Sequence, residues 1–269
     1  MTMKQKDPNL LLQPAPLLRQ GMTTPSAMRD VILALLPTVI AGAWFFGLKA
    51  LLVLVASIAG AMAVEWVFTA VEKRRNAIGD NSALLTGLLL GLTLPPALPL
   101  WMAFVGGVSA VGLGKVIWGG LGTNLFNPAL LGRAVLLGTF PIAMTTWSPP
   151  EGGFFDLPAS LLAWPFISPV YDAISSATPL GLMKFEQQGT GFMQLLIGNT
   201  GGSLGETSGL LLILGGLYLW WRRDLDWRIP VSITVAAVVF SSGLYMVDSV
   251  KYPGPIFTIF SGGFLLGAV

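Results

Sequence analysis

Residues 50–70 read ALLVLVASIAGAMAVEWVFTA, and Glu65 is the one ionisable side chain in the run. About 20 largely apolar residues are enough for a helix to cross the hydrocarbon core of a bilayer. A helix on a soluble domain would show a charged or polar face every third or fourth residue, and this stretch shows none. The rest of the chain agrees. Of its 269 residues 54% are hydrophobic and only 10% charged, with a mean hydropathy of +0.73, whereas a soluble domain carries about 25% charged residues. The net charge of +2 is a small imbalance among few charges. It predicts a lipid bilayer as surroundings and no basic face for nucleic acid.

Similar apolar runs place further helices at 30–46, 82–94, 101–118, 127–144, 208–221, 228–246 and 255–269, which with 50–70 makes an all-α polytopic protein of about eight transmembrane helices. Several runs are short. Pro95-Pro96 ends the third, and Gly119-Gly120-Leu121-Gly122 interrupts the chain after the fourth. Non-helical backbone at membrane depth survives only where protein or a cavity covers it, so these breaks are expected to form sites. Lys73, Arg74 and Arg75 follow the second run, while Arg222, Arg223 and Arg228 lie between the sixth and seventh. With the polar tail 1–29 these bases fall on one side, which the positive-inside rule makes cytoplasmic. Segment 148–207 then lies outside the inner membrane, in the periplasm. It holds Glu151, Asp156, Asp172, Glu186 and Glu206 against Lys184 alone. The tail lacks the apolar core of a signal peptide, and the nine tryptophans read mostly as interface anchors.

Slid along itself by 176 positions, the chain aligns TGLLLG at 86–91 with GGFLLG at 262–267. The same shift carries the first helix onto the sixth and the second onto the seventh. Five helices per copy would make the second copy insert upside down, as in many transporters. The expected organisation is therefore a tail at 1–29, a first repeat at 30–147, an exterior segment at 148–207 and an incomplete second repeat at 208–269.

Cysteine and histidine are both absent. No thiolate-held iron–sulfur cluster, disulfide or conventional haem or zinc site can be built from this chain, and any electron it carries needs an organic cofactor. Inside the exterior segment, 171–180 reads YDAISSATPL. Thr178 followed by Pro179 suits a helix cap with Pro at the first helical position, and that is the plain reading. The stretch DAISSAT, from Asp172 to Thr178, also resembles the D-x-x-(S/T)-G-A-T signature at which a flavin transferase esterifies FMN phosphate to the last threonine; Ser176 stands where glycine is usual. Four further stretches carry the same resemblance: DNSALLTGLLLGLTLPP at 80–96, GKVIWGGLGTNLFNPALLGR at 114–133, FPIAMTTW at 140–147 and GGSLGETS at 201–208. Together they resemble the RnfD/NqrB family, membrane flavoproteins of ion-pumping redox complexes. Length points to the Rnf branch, and Gly132-Arg133-Ala134 looks closer to the sodium-pumping quinone-reductase branch.

The resemblance implies covalent FMN on Thr178, with Asp172, Ser175, Ser176 and Ala177 as the flavinylation motif. It implies a subunit that is not catalytic alone, in a complex moving electrons between ferredoxin and NAD while transporting sodium ions or protons beside iron–sulfur and flavin subunits. Lys115, Gly119, Gly120, Asn124, Asn127 and Pro128 form a second constellation: glycines that admit a ligand to the backbone, and asparagines that donate and accept. Capping of helix ends explains the asparagines equally well. In the quinone-reductase relatives the matching pair resembles a riboflavin site, which extends that expectation to Asn124 and Asn127. Glu65, Arg133, Glu206 and Asp248 are other charges near membrane depth, where an ionisable group is expensive unless paired or hydrated. A quinone-reductase B subunit, a channel or secondary transporter without redox chemistry, and an assembly subunit with a vestigial flavin site are the competing readings.

Overall fold

The computed structural model describes residues 23–72, 78–150, 153–165, 177–206, 208–249, 251–261 and 263–268. Helix α1 (Thr24–Phe46) starts earlier than the expected residue 30. Thr23 closes its first turn: its amide donates to Ser26 Oγ at 3.2 Å, and the Ser26 hydroxyl donates to the Thr23 carbonyl at 2.8 Å. In the fold Asp30 is buried within α1 and does not mark its start. Gly47, at φ +71°, turns the chain directly into α2 (Leu48–Glu72).

A 3-10 turn at Ile78–Asp80 leads to α3 (Ser82–Leu92), and Pro99 precedes α4 (Leu100–Val111). Where a continuous helix to 118 was expected, α4 widens at Gly112–Val116 into a π turn. The run expected at 127–144 is two helices, α5 (Pro128–Thr139) and α6 (Pro141–Thr145). Phe140 leaves helical geometry at φ −130°, ψ 58°, and Pro141 has no amide to continue the ladder.

The exterior segment, expected as one stretch, contains a 3-10 turn at Ala159–Leu162 and helices α7 (Pro179–Glu186) and α8 (Phe192–Ile197). Beyond them lie α9 (Gly209–Arg222) and α10 (Arg228–Val247). The last expected span is broken into α11 (Pro255–Phe260) and α12 (Phe264–Ala268), with Ser261 extended and Gly263 at φ +68°. Strands are absent among the described residues.

Among the described residues, three helical stretches are long and apolar enough to cross a membrane: Thr24–Phe46, Leu48–Ala70 and Arg228–Val247. Ser82–Leu92, Leu100–Val116, Pro128–Thr139 and Gly209–Arg222 are apolar but shorter. Of the about eight transmembrane helices expected, three are thus long and apolar enough to cross among the described residues, and the others are shorter. The core gathers on α2, which packs most heavily against α4 and then α3. Leu90, Leu92, Leu94, Leu98 and Leu136 are fully buried there. Gly60 of α2 and Gly107 of α4 bring the two backbones together: a Cβ on Gly60 would collide with the Phe104 carbonyl, and one on Gly107 with the Ser57 carbonyl. Small residues at such crossings let helices in lipid gain close van der Waals contact. Ser57 adds a buried hydrogen bond to the Gly87 carbonyl, 2.9 Å away on α3.

The Gly60–Gly107 crossing leaves no room for a side chain. Gly107→Val is expected to destabilise the fold by about 2 kcal/mol or more through overpacking against backbone. Thermal unfolding of the detergent-solubilised protein checks this, and Gly153→Ala, where a Cβ meets nothing, is the silent control.

Candidate functional site

Three groups of polar side chains stand out against this apolar frame. The first is a buried charge cluster joining α2, the Ile78–Asp80 turn, the start of α3 and the π turn. Lys115, on the π turn, is 3% exposed, as is Glu65 on α2. The Lys115 ammonium donates to Glu65 Oε1 at 2.8 Å and to Ser82 Oγ at 2.5 Å, and Asp80 Oδ2 lies 3.8 Å away. The Ser82 hydroxyl donates to Asp80 Oδ1 at 2.6 Å, and the same oxygen accepts from the Ser82 amide at 2.8 Å. Glu65 Oε2 is buried without a hydrogen-bond partner. The sequence reading flagged Glu65 and Lys115 separately, fifty positions apart, and did not join them.

The second group lines a cavity of about 470 Å³ between the early and late helices, among residues of α1, α3, α5, α9 and α12. Asn127, Thr93, Arg133, Ser203 and Glu206 supply its polar wall. Arg133 Nη1 donates to the Thr93 carbonyl at 2.6 Å, just past the end of α3. The Glu206 carboxylate fits beside Gly202 and Gly263, where a Cβ would meet its oxygens at 2.9 and 2.8 Å. Ser203 Oγ is buried and unpartnered.

Asn127 does what the capping alternative required, its side-chain oxygen accepting from the amides of Ala129 (3.0 Å) and Leu130 (3.4 Å) at the start of α5. It also lines the cavity, whereas Asn124 holds a buried side-chain oxygen with no partner. Gly119 and Gly120 take positive φ in the connection between them and α4. Asp248 lies apart, exposed after α10, where Oδ1 accepts from the Lys251 amide at 3.1 Å.

The third is the expected flavin segment. Thr178 caps α7, its Oγ1 accepting from the Gly181 amide at 3.1 Å, with Pro179 in the first turn. Ala177 beside it is exposed. Asp172, Ser175 and Ser176 lie outside the described residues.

A second pairing escaped the sequence reading. Asp30, 5% exposed on α1, accepts from Arg222 Nε at 3.0 Å and Nη2 at 2.9 Å. Three contacts fix the direction of α1 against the later helices. Asp30 meets Arg222, the Ala34 carbonyl faces Gly215, and Gly42 approaches the Leu204 carbonyl, so α1 and α9 run antiparallel. In the turn after α9, burial holds the Asp224 carboxyl above its ordinary value, and the hydrogen bond and charge of Asp30 add to the shift against the pull of Arg222.

These helices and buried charges define a polytopic helical membrane protein. The chain matches the model of the NQR2, RnfD, RnfE family over residues 11–269, and it belongs to that family. It is 36% identical to the D subunit of the proton-translocating ferredoxin:NAD(+) oxidoreductase complex of Clostridium ljungdahlii, over 94% of this chain and 75% of that one. It is 39% identical to the D subunit of the ion-translocating oxidoreductase complex of Stutzerimonas stutzeri, over 90% and 73%. The D subunit of the Na(+)-translocating ferredoxin:NAD(+) oxidoreductase complex of Acetobacterium woodii is 34% identical, over 97% and 75%.

A carboxyl whose pKa is raised by folding contributes stability that is complete below its unfolded value of 3.8 and is lost as pH rises through the folded value. Asp224→Asn should therefore raise the unfolding midpoint at about pH 7 and leave it unchanged at about pH 3. Thermal melts across that range, in detergent, give the comparison.

Proposed function

We propose that this chain is the D-type subunit of an inner-membrane, ion-translocating ferredoxin:NAD oxidoreductase, and that it carries electrons through FMN joined to Thr178 by a phosphoester. The observation that carries the reading is the agreement of two independent features at Thr178. The residue ends a stretch that resembles the flavinylation signature, and it caps a helix beside an exposed neighbour. An acceptor hydroxyl has to enter another enzyme's site, so it must stand at an exposed end among small side chains. Helix N-termini favour phosphate, because amide donors and the macrodipole face it there. Bound there, FMN supplies the redox chemistry that a chain without cysteine or histidine cannot supply from its own residues.

A second flavin, riboflavin, is assigned to the region of Asn124 and Asn127. The cavity offers room for a planar ring, and Asn127 and the unpartnered oxygen of Ser203 lie on its wall, where a polar ligand would satisfy them; Asn124 carries another unpartnered oxygen three positions before Asn127. Reduction of NAD and oxidation of ferredoxin belong to partner subunits bearing clusters and nucleotide sites, and a flavin transferase loads Thr178. Sodium ions or protons are the translocated species.

The inverted repeat belongs to the same reading, and helix ends support it. Arg222 ends α9 176 residues after Phe46 ends α1 (222 minus 46), Val247 ends α10 175 after Glu72 (247 minus 72), and Ala268 ends α12 176 after Leu92 (268 minus 92). The antiparallel contact of α1 with α9 is what an inverted pair requires at its interface. The N-terminus is cytoplasmic and the flavin segment periplasmic in this arrangement, by the distribution of lysine and arginine.

Peptide mass spectrometry on the chain from its native membranes is the test. An FMN-sized adduct on Thr178, lost in Thr178→Ala together with in-gel flavin fluorescence, is expected. An unmodified Thr178 in cells with an active flavin transferase removes the redox assignment.

A further inference from the structure

The Glu65 cluster has an order that its residue list conceals. Asp80 is its outer end, with a side chain 19% exposed, against 4% for both Lys115 and Glu65. Between the ends, Lys115 gives a hydrogen bond to each side, and Ser82 takes one and gives one. Lys115 donates to Glu65 and to Ser82, and Ser82 passes its own hydroxyl proton toward Asp80. Glu65 lies roughly 10 Å along α2 from the end of that helix at Glu72. A continuous chain of exchangeable protons thus runs from a partly hydrated carboxylate to a buried one.

We infer that Asp80, Ser82, Lys115 and Glu65 form a proton relay between the surface at the α2–α3 turn and the interior of the membrane domain. The inference rests on the reading above that the complex translocates ions, and it names the proton as the ion handled at this site.

Two observations favour a proton over a metal cation. A metal ion needs a shell of oxygens around it, and here the Lys115 ammonium occupies the centre of the carboxylates, where it repels a second cation at short range. The charge count also leaves one place open. Among the described residues, Asp80, Lys115 and Glu65 are the charged groups that face one another in the cluster, two carboxylates against one ammonium. Burying a net charge in low dielectric is costly, and a single added proton neutralises the set. Glu65 Oε2, buried without a partner, is the oxygen positioned to hold it.

The step balances. A proton on the Glu65 carboxyl passes to the Lys115 nitrogen as that nitrogen gives one to Ser82 Oγ and Ser82 gives its hydroxyl proton to Asp80. Lys115 ends as an ammonium, Ser82 as a hydroxyl, Glu65 as a carboxylate and Asp80 as an acid. The net change is one proton moved from Glu65 to Asp80, and once Asp80 has released it outward, rotation of the Ser82 hydroxyl aims that donor at Asp80 again. The π turn is the element that sets Lys115 between α2 and α3, and such turns recur at functional sites.

The experiment uses the assembled complex in membrane vesicles, driven by its own electron transfer in sodium-free buffer, with an internal pH dye reporting protons moved per electron. Ser82→Ala keeps the Glu65–Lys115 pair and cuts the chain. It should lower protons per electron by roughly tenfold or more, while Ser82→Thr, which retains a hydroxyl, restores them. A hydrophobic carbodiimide, which modifies protonated buried carboxyls, should label Glu65 in wild-type membranes without protection by sodium. Unchanged proton movement in Ser82→Ala, equal loss in the threonine variant, or protection of Glu65 by sodium each overturn the relay. The Thr178 adduct is measured on the same vesicles. Its absence defeats the flavoprotein assignment, whereas its presence with an indifferent Ser82→Ala defeats the relay alone.

Discussion

Every backbone amide that leaves a helix inside hydrocarbon must find a partner within the protein, and this constraint organises the molecule. The long helices α1, α2 and α10 satisfy it by themselves. The short ones do not, and the chain places their ends where other helices can cover them. Leu94 lies beyond the end of α3, and its carbonyl accepts from the Leu204 amide at 3.2 Å. The Thr93 carbonyl, one residue earlier, accepts from Arg133. The break between α11 and α12 faces Glu206 through Gly263. Broken ends from both halves of the chain therefore converge on one cavity, and the groups that complete the backbone are the same ones that make its wall polar.

The constraint also explains why the buried charges are paired as they are. A charge taken out of water is tolerated only with a partner of good geometry and with its other lone pairs or protons occupied. Asp30 receives two contacts from Arg222, both on Oδ2, that tie α1 to the end of α9. Glu65 meets this condition halfway: one oxygen is matched by Lys115 and the other has no partner. The Asp30 pair, with Arg222 half exposed, works as a tie between helices beside water. Lys115 and Glu65 are both almost fully buried, and the open lone pairs of Glu65 Oε2 distinguish that cluster as a place for chemistry.

The fold class and the family were legible before any coordinates, because both depend on local patterns: unbroken apolar runs, and motifs whose residues lie side by side. The cap at Thr178 and the capping use of Asn127 were legible for the same reason, since each involves partners two or three positions away. Helix ends were less so. The sequence around 127–144 is apolar throughout and hides the break at Phe140-Pro141, although the proline was there to be weighed. Span length misled most where the helices are partial, because hydropathy cannot tell a half-crossing helix from a full one.

Long-range pairings were the part that local reasoning could not reach. Asp30 sits 192 positions from Arg222, and Lys115 fifty from Glu65. A usable signal was nevertheless present. In a span, a lone acid implies a base somewhere, and the chain has few bases to choose from. Lys115 was the one basic residue in an otherwise apolar run at 101–118, and expense alone argues that it would be paired with an acid in another span. Depth then picks the partner. Glu65 stands five positions before the end of the run at 50–70 (70 minus 65), and Lys115 three before the end of its own (118 minus 115). Alternation of the spans puts both of those ends on one side, and at about 1.5 Å of rise per residue the two side chains differ in depth by only about 3 Å. Matching buried charges by sign and depth, before any packing is known, would have joined these two helices and located the cluster from the sequence.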